Sequence, residues 1–268
     1  MAHNLHVTDT GGEGRPVLLI HGWPLSGASW SEQVPALTEA GYRVVSYDRR
    51  GFGQSDPGDG YDYDALADDL ANIISELDLN DVSLVGFSMG GGEIARYIGK
   101  HGEDKLHSVV FAAAVPPYLP KTDDNPDGPL DDETAKMFED GLAGDRDEFF
   151  DKFVTMFYSP GGDGEELASS EQHDEALALA KQSDEDAAKG AMEAFASTDF
   201  RDDIAKVSVP TLVLHGDSDG VVPFEGSGKR THEAIGSSEL VLVEGAPHGF
   251  NVTHKDEFNK ALVEFLEK

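Results

Sequence analysis

Short runs of β-forming residues recur along the chain: Val17 to Ile20, Tyr42 to Asp48, Val82 to Phe87, Leu106 to Ala113, Thr211 to His215 and Glu239 to Val243. Several are apolar on both faces, which a strand tolerates only where helices cover both sides of its sheet. The stretches between them carry helical periods. Leu66, Leu70, Ile73, Ile74 and Leu77 form one apolar stripe, and Phe258, Ala261, Leu262 and Phe265 form another. Strand and helix alternating in this way predict an α/β fold with a mostly parallel central sheet flanked by helices. A chain of 268 residues can bury the core of one such domain, spanning 1–268, and no linker divides it.

The alternation breaks over 116–203, where a proline-rich start (Pro116, Pro117, Pro120, Pro126, Pro129) leads into acidic, helix-like segments. This predicts a helical cap inserted within the domain. Phe150, Phe153, Val154 and Phe157 lie at helical spacing in it, and their simplest use is to pack a cap helix onto the sheet domain rather than to form a substrate box. Cap residues can nonetheless line a pocket.

Charge narrows the partners. With 52 acidic against 20 basic residues the net charge is −32, and the acids are spread along the chain. Such a field repels nucleic acid and anionic membranes. The excess suggests a high-salt cytoplasm, where molar ions shrink the Debye length to about 3 Å and quiet the self-repulsion. The apolar runs fall far short of the roughly 20 residues a membrane span needs. The start of the sequence lacks a basic region followed by an apolar stretch, so a cytoplasmic home is expected. Homo-oligomerisation is compatible with all of this. Because the chain has no cysteine, covalent catalysis falls to another residue.

That residue is signalled in VGFSMGGGEIARYI, residues 85 to 98, where Ser88 stands between a strand pattern and a helix pattern. A nucleophile on so sharp a turn takes strained backbone angles, and side chains two residues to either side would collide. Gly86 and Gly90 remove those side chains. Gly91 and Gly92 let the helix start lie close to the strand, and free N–H groups there favour a developing negative charge.

A serine hydroxyl needs a base, and the base needs a carboxylate to hold its tautomer. His248 follows the last strand in EGAPHGF, bracketed by Pro247 and Gly249, whereas His232 lies on a predicted helix as an ordinary surface histidine. The order Ser, acid, His favours His248. LHGDSDGVVPF offers both Asp217 and Asp219 at one strand end, the place where parallel sheets deliver catalytic side chains, and spacing alone leaves the two open. The loop HGWPLSG at 21 to 27 follows an early strand, and the backbone N–H groups of Trp23 and Met89 are the chosen pair for an oxyanion. Pro24 fixes the chain just beyond Trp23.

One other signal competes. DDNPDGPLDDET places Asp123, Asn125, Asp127 and Gly128 as in a calcium loop, but Thr134 stands where the bidentate glutamate belongs and prolines deny the incoming helix. A turn-rich cap loop is the better account. No histidine cluster suggests another metal.

Taken together, HGWPLSG, SYDRRGFGQSD, VGFSMGGGEIARYI, TDFRDDI, VPTLVLHGDSD and GAPHGF resemble the cofactor-free haloperoxidase and arylesterase family of α/β hydrolases, nearly end to end. The likeness is weakest around Ser159 to Lys189. In that family the acid lies four residues before a proline, which implies Asp219, ahead of Pro223, rather than Asp217. The resemblance also implies the α/β-hydrolase fold, Trp23 and Met89 as the oxyanion pair, and no metal or haem. The expected reaction is acyl transfer: Ser88 attacks an ester, His248 moves the proton, Asp219 orients His248, and water releases the acid. Hydrogen peroxide in place of water would give a peracid able to oxidise halide. Lactone hydrolysis would use the same site. The reading from another class, a non-catalytic receptor for small apolar molecules, is disfavoured by the complete triad.

Overall fold

The computed structural model describes residues 4–268. In chain order its elements are β1 (Val7–Asp9), β2 (Pro16–Ile20), α1 (Gln33–Glu39), β3 (Arg43–Tyr47), α2 (Tyr63–Glu76), β4 (Val82–Phe87), α3 (Met89–His101) and β5 (Leu106–Ala112). There follow α4 (Asp132–Ala143), α5 (Arg146–Tyr158), α6 (Ser170–Lys181), α7 (Glu185–Ser197), α8 (Arg201–Ile204), β6 (Thr211–Gly216), α9 (Gly228–Ala234), β7 (Glu239–Val243), α10 (Phe250–Thr253) and α11 (Lys255–Leu266). The seven strands among the described residues form one sheet in the order β1-β3-β2-β4-β5-β6-β7.

All neighbouring strands are parallel except β1, which runs antiparallel to β3 with Val7 opposite Tyr47. The predicted strands all form, with ends shifted by a residue: β3 is shorter than Tyr42 to Asp48, β5 ends at Ala112, and β6 reaches Gly216. β1 was not anticipated, because three largely exposed edge residues make no apolar run. β4, buried at every position, is the spine of the sheet. From α2, Leu66, Leu70, Ile73 and Ile74 are buried in the core, while Leu77 caps that helix half-buried. Phe258, Leu262 and Phe265 of α11 cover the sheet too, with Ala261 at the margin.

The strand order decides where a site can form. After β2 the chain steps outward to β3, then returns past β2 to β4, so β2 and β4 are neighbours whose connections leave in opposite directions. In open parallel sheets the crevice at such a reversal, outside the strand C-termini, is where ligands bind. Here Ile20 pairs with Gly86, which sets the loop after β2 beside the turn after β4. Trp23 and Ser88 lie on those two segments.

Between β5 and β6 the chain leaves the sheet and makes α4 to α7. Each of these helices has a side-chain cap at its N-terminus, which satisfies N–H groups left without helical partners. Asp131, Asp145 and Asp184 accept from Thr134, Glu148 and Ala187 at 2.9, 3.1 and 3.0 Å, and Ser169 forms a capping box with Gln172. Thr134, in the calcium-like segment, is therefore a helix-start residue. Asn125 of that segment is buried, donates to the carbonyls of Tyr118 and Pro120 at 3.0 and 2.5 Å, and accepts from Arg230 at 2.5 Å. Its side chain is spent on holding the loop.

Candidate active site

Ser88 has φ 54° and ψ −118°, a strained conformation for a residue with a side chain. The neighbouring chain holds it there. The Ser88 N–H donates to Ala112 at 2.8 Å, and the Ser88 carbonyl accepts from Gly91 and Val115 at 3.1 and 3.2 Å. A Cβ on Gly86 would lie 2.5 Å from the Gly90 carbonyl oxygen, and one on Gly90 would lie 2.5 Å from that of Ile20. Those two glycines thus allow the turn to close onto β2. A Cβ on Gly91 would crowd Ala114 and Phe111 of β5, and one on Gly92 the rings of Tyr63 and Phe200, so these glycines bring the helix start close to β5 and the chain after it, and to α2.

His248 lies on the loop after β7 and is 1% exposed. Its Nδ1 is 2.7 Å from Asp219 Oδ2, and its buried Nε2 has no hydrogen-bond partner among the described residues. A carboxylate at Nδ1 keeps the proton on that nitrogen and leaves the Nε2 lone pair to act as base. The imidazole is packed between Phe87 and Phe157, at ring-centroid distances of 5.2 and 4.9 Å. Its loop is tied to α5 by the Gly249 N–H donating to the Phe157 carbonyl at 2.8 Å.

The structure distinguishes the two aspartates at the end of β6 sharply. Asp219 is buried, and its Oδ1 accepts from the Val221 and Val222 N–H groups at 2.9 and 2.8 Å. Its Oδ2 takes His248, and His215 Nε2 lies 3.3 Å from the same oxygen. Burial works to raise the Asp219 carboxyl, but the neighbouring imidazoles and their hydrogen bonds overcome it and hold the group well below the usual carboxylate range. Asp217 instead accepts from the Gly245 N–H at 2.7 Å and the Ser218 hydroxyl at 3.0 Å, so it shapes the loop without touching His248.

The backbone N–H groups of Trp23 and Met89 have no acceptor among the described residues. Met89 opens α3, where N–H groups are unpaired and the helix dipole is positive. The Trp23 indole is buried as well. Its Nε1 donates to the Ala188 carbonyl of α7 at 2.9 Å, and its ring meets Phe153 at 5.1 Å and Phe195 at 5.7 Å.

Three features had little or no signal in the sequence. His215 was hidden inside a strand; its Nε2 also lies 2.9 Å from the Val222 carbonyl, which fixes the proton on that nitrogen. Arg49 and Glu93, both fully buried, pair beneath Ser88 through Arg49 Nε at 2.7 Å, with the Tyr47 hydroxyl donating to Glu93 at 2.5 Å. Arg49 Nη2 also donates to the His21 carbonyl at 2.7 Å, linking the loop that carries Trp23 to the helix that carries Met89. Burial raises the Glu93 carboxyl against the opposing pull of Arg49. A charged residue within an apolar helix face was the available clue. Third, Phe150, Phe153, Val154 and Phe157 are all buried, as packing requires, and of the four Phe153 also lines a cavity, a use left open for cap residues but not assigned to any one of them.

The cavity beside Ser88 measures about 160 Å³, with Trp23, Leu119, Phe138, Phe153, Met192 and Val222 among its walls, and none of its lining residues is charged. For scale, an apolar cavity of roughly 150 Å³ accepts benzene. An uncharged chamber behind an acidic surface suits a small, neutral, largely apolar molecule.

A family model for the alpha/beta hydrolase fold matches residues 15–255. A non-heme chloroperoxidase of Kitasatospora aureofaciens is 42% identical, covering 96% of this chain and 94% of that one. A bifunctional esterase/perhydrolase of Acinetobacter calcoaceticus is 37% identical over the same shares of the two chains, 96% and 94%. Among solved structures, a bromoperoxidase from Bacillus anthracis superposes with a TM-score of 0.96 at 51% identity, covering 99% of this chain and 96% of the other.

Proposed function

This chain belongs to the α/β hydrolases, in their cofactor-free haloperoxidase family, and from that membership we propose that it is an esterase and perhydrolase whose reaction runs through an acyl ester on Ser88. Ser88 Oγ attacks the ester carbonyl while His248 Nε2 takes its proton. The N–H groups of Trp23 and Met89, which have no acceptor among the described residues, donate to the tetrahedral oxyanion. Collapse breaks the ester C–O bond, and His248 returns the proton to the departing alcohol. Water, deprotonated by His248, then releases the carboxylic acid. Hydrogen peroxide attacking instead gives a peracid, which passes an oxygen to bromide or chloride in solution and becomes the carboxylate again. No step in this scheme requires a metal or haem.

The observation that carries this reading is the imidazole of His248, anchored at Nδ1 to a buried, ionised Asp219 and unpartnered at Nε2. The uncharged cavity supports short acyl and aryl esters as substrates, and α4 to α7 act as a cap over it. The test is hydrolysis of a panel of aryl and alkyl esters, together with halogenation assayed with peroxide in acetate and in carboxylate-free buffer. Turnover in acetate alone supports the peracid route; halogenation that persists without a carboxylate overturns it.

The charge of −32 supports a second proposal, that the protein works in the cytoplasm of a salt-adapted cell. Self-repulsion among these charges, which dilute solvent leaves unscreened, works against a folding margin of typically about 5 to 15 kcal/mol. Among the described residues no helix is long and apolar enough to cross a membrane. Melting temperature and ester turnover should both rise from dilute buffer to multimolar potassium chloride. A flat melting temperature with full turnover in dilute buffer would refute the salt adaptation and leave the Ser88 mechanism intact.

A further inference from the structure

The lining of the Ser88 cavity divides by exposure. Pro129, Leu130, Thr134, Ala135 and Phe195 are among its half-buried walls, whereas Phe138 and Phe153 are buried. Behind Phe153, between α4 and α5, lies a separate groove of about 350 Å³ whose walls combine the apolar Met137, Phe149 and Met156 with the charged Asp140, Asp145, Glu148 and Lys152. Phe153 lines both spaces, and no other described residue does. Its ring is braced by Trp23, Phe138 and Phe149 at centroid distances of 5.1, 5.8 and 6.3 Å.

The chemistry assigns the part of the substrate that meets this wall. The acyl group becomes bonded to Ser88 Oγ, and Ser88 and Trp23 both line the cavity. The cavity therefore receives the acyl group, which stays on Ser88 after the alcohol has gone.

Resting on the acyl-enzyme reading above, we infer that Phe153 sets the length of acyl chain the enzyme accepts, by closing the Ser88 cavity off from the groove between α4 and α5. A chamber close to the size that holds benzene takes a short acyl group and excludes a medium-length one. Removing the ring opens the chamber toward the groove, and each methylene that gains the apolar wall of Met137, Phe149 and Met156 there raises selectivity for longer chains.

The test measures kcat/KM for p-nitrophenyl esters from acetate to decanoate in the parent enzyme, Phe153→Ala and the milder Phe153→Leu, with circular dichroism confirming the fold. The parent should fall at least tenfold from butyrate to octanoate. In Phe153→Ala the octanoate-to-butyrate ratio should rise at least tenfold, with Phe153→Leu between the two. Met156→Trp fills the groove from outside the Ser88 cavity: alone it should leave acetate turnover unchanged, and combined with Phe153→Ala it should return the ratio toward the parent value. An unchanged ratio in folded Phe153→Ala and Phe153→Leu, or a gain that survives Met156→Trp, overturns the inference. Calorimetric binding of butanamide and octanamide to Ser88→Ala, with and without Phe153→Ala, reads the same wall without chemistry. Octanamide should bind at least tenfold tighter once the ring is removed, so failure of the Ser88 mechanism and failure of the Phe153 wall appear in different measurements.

Discussion

The loops at the C-terminal ends of the strands and the helices inserted between β5 and β6 meet around one cavity but are held by different forces. In the loops, the side chains and backbone that face the chemistry are fixed by short polar contacts: Asp219 by two backbone N–H groups and two imidazoles, Ser88 by the bonds of its own peptide groups to the end of β5 and to α3. In the helices, the cavity is faced by uncharged side chains, among them Phe138 and Phe153, whose rings pack edge-on against each other and, for Phe153, against Trp23, with the Trp23 indole N–H to Ala188 as a polar tie between the two regions. Hydrogen bonds fail when an atom is moved or lost, whereas packed apolar groups tolerate exchange for others of similar volume. The first region should therefore set the rate, and the second should set which molecule reacts.

The largest effects should come from the loops. Ser88→Ala and His248→Ala should each lower kcat for a small aryl ester by about 10⁶, with the far-ultraviolet spectrum unchanged. If either retained near-parental turnover, the division between the regions would collapse. Asp219→Asn should cost about 10⁴ in kcat, because the amide cannot hold the imidazole in the required tautomer. Asp217→Asn, which touches only the loop, should cost less than about tenfold, and the reverse ranking would reassign the acid. Asp219 also predicts a pH effect. Its folded pKa lies below the unfolded value, so the stability it contributes is present above about pH 4 and is lost as the pH falls toward the folded pKa. The stability difference between the parent and Asp219→Asn should shrink over that acid range in urea titrations.

Smaller effects locate the boundary. Glu93→Gln leaves the Arg49 guanidinium buried without its counter-charge, and should lower stability by about 3–5 kcal/mol in denaturant unfolding. Because Arg49 and Glu93 join the loop of Trp23 to the helix of Met89, kcat should fall more than KM rises. Trp23→Phe keeps the backbone N–H but removes the bond to Ala188, at about 0.5–1.5 kcal/mol. It should raise KM severalfold and leave kcat nearly intact; a large fall in kcat would show that the helices help to set the rate as well.

The difference between the regions is also a difference in legibility. The strained turn at Ser88 was readable because close backbone approach restricts the residue types within a few positions, and glycines at 86 and 90 are the trace of that restriction. His248 was readable from its place after a strand and in chain order. Asp217 and Asp219 were not separable by spacing, since both leave the same strand end; a family resemblance pointed to Asp219, and the geometry agrees because only Asp219 reaches His248. Which residue of the Phe150 to Phe157 stripe lines the cavity was not readable, because an aromatic at helical spacing looks the same whether its ring meets a neighbour or an empty space.

By itself, the sequence determined the parallel sheet, the turn that presents Ser88 and the acidic surface. Each of these follows from local rules: period, steric demand at a turn, and charge count. Tertiary structure alone decided which buried groups touch. Strand order brought the loop after β2 beside the turn after β4, paired Arg49 with Glu93 across 44 residues, and put His215 against Asp219. It also put one phenylalanine in the walls of both the cavity beside Ser88 and the groove between α4 and α5. Contacts between residues far apart in the chain arise from how whole elements pack, and a one-dimensional pattern carries the faces of those elements without carrying what each face will meet.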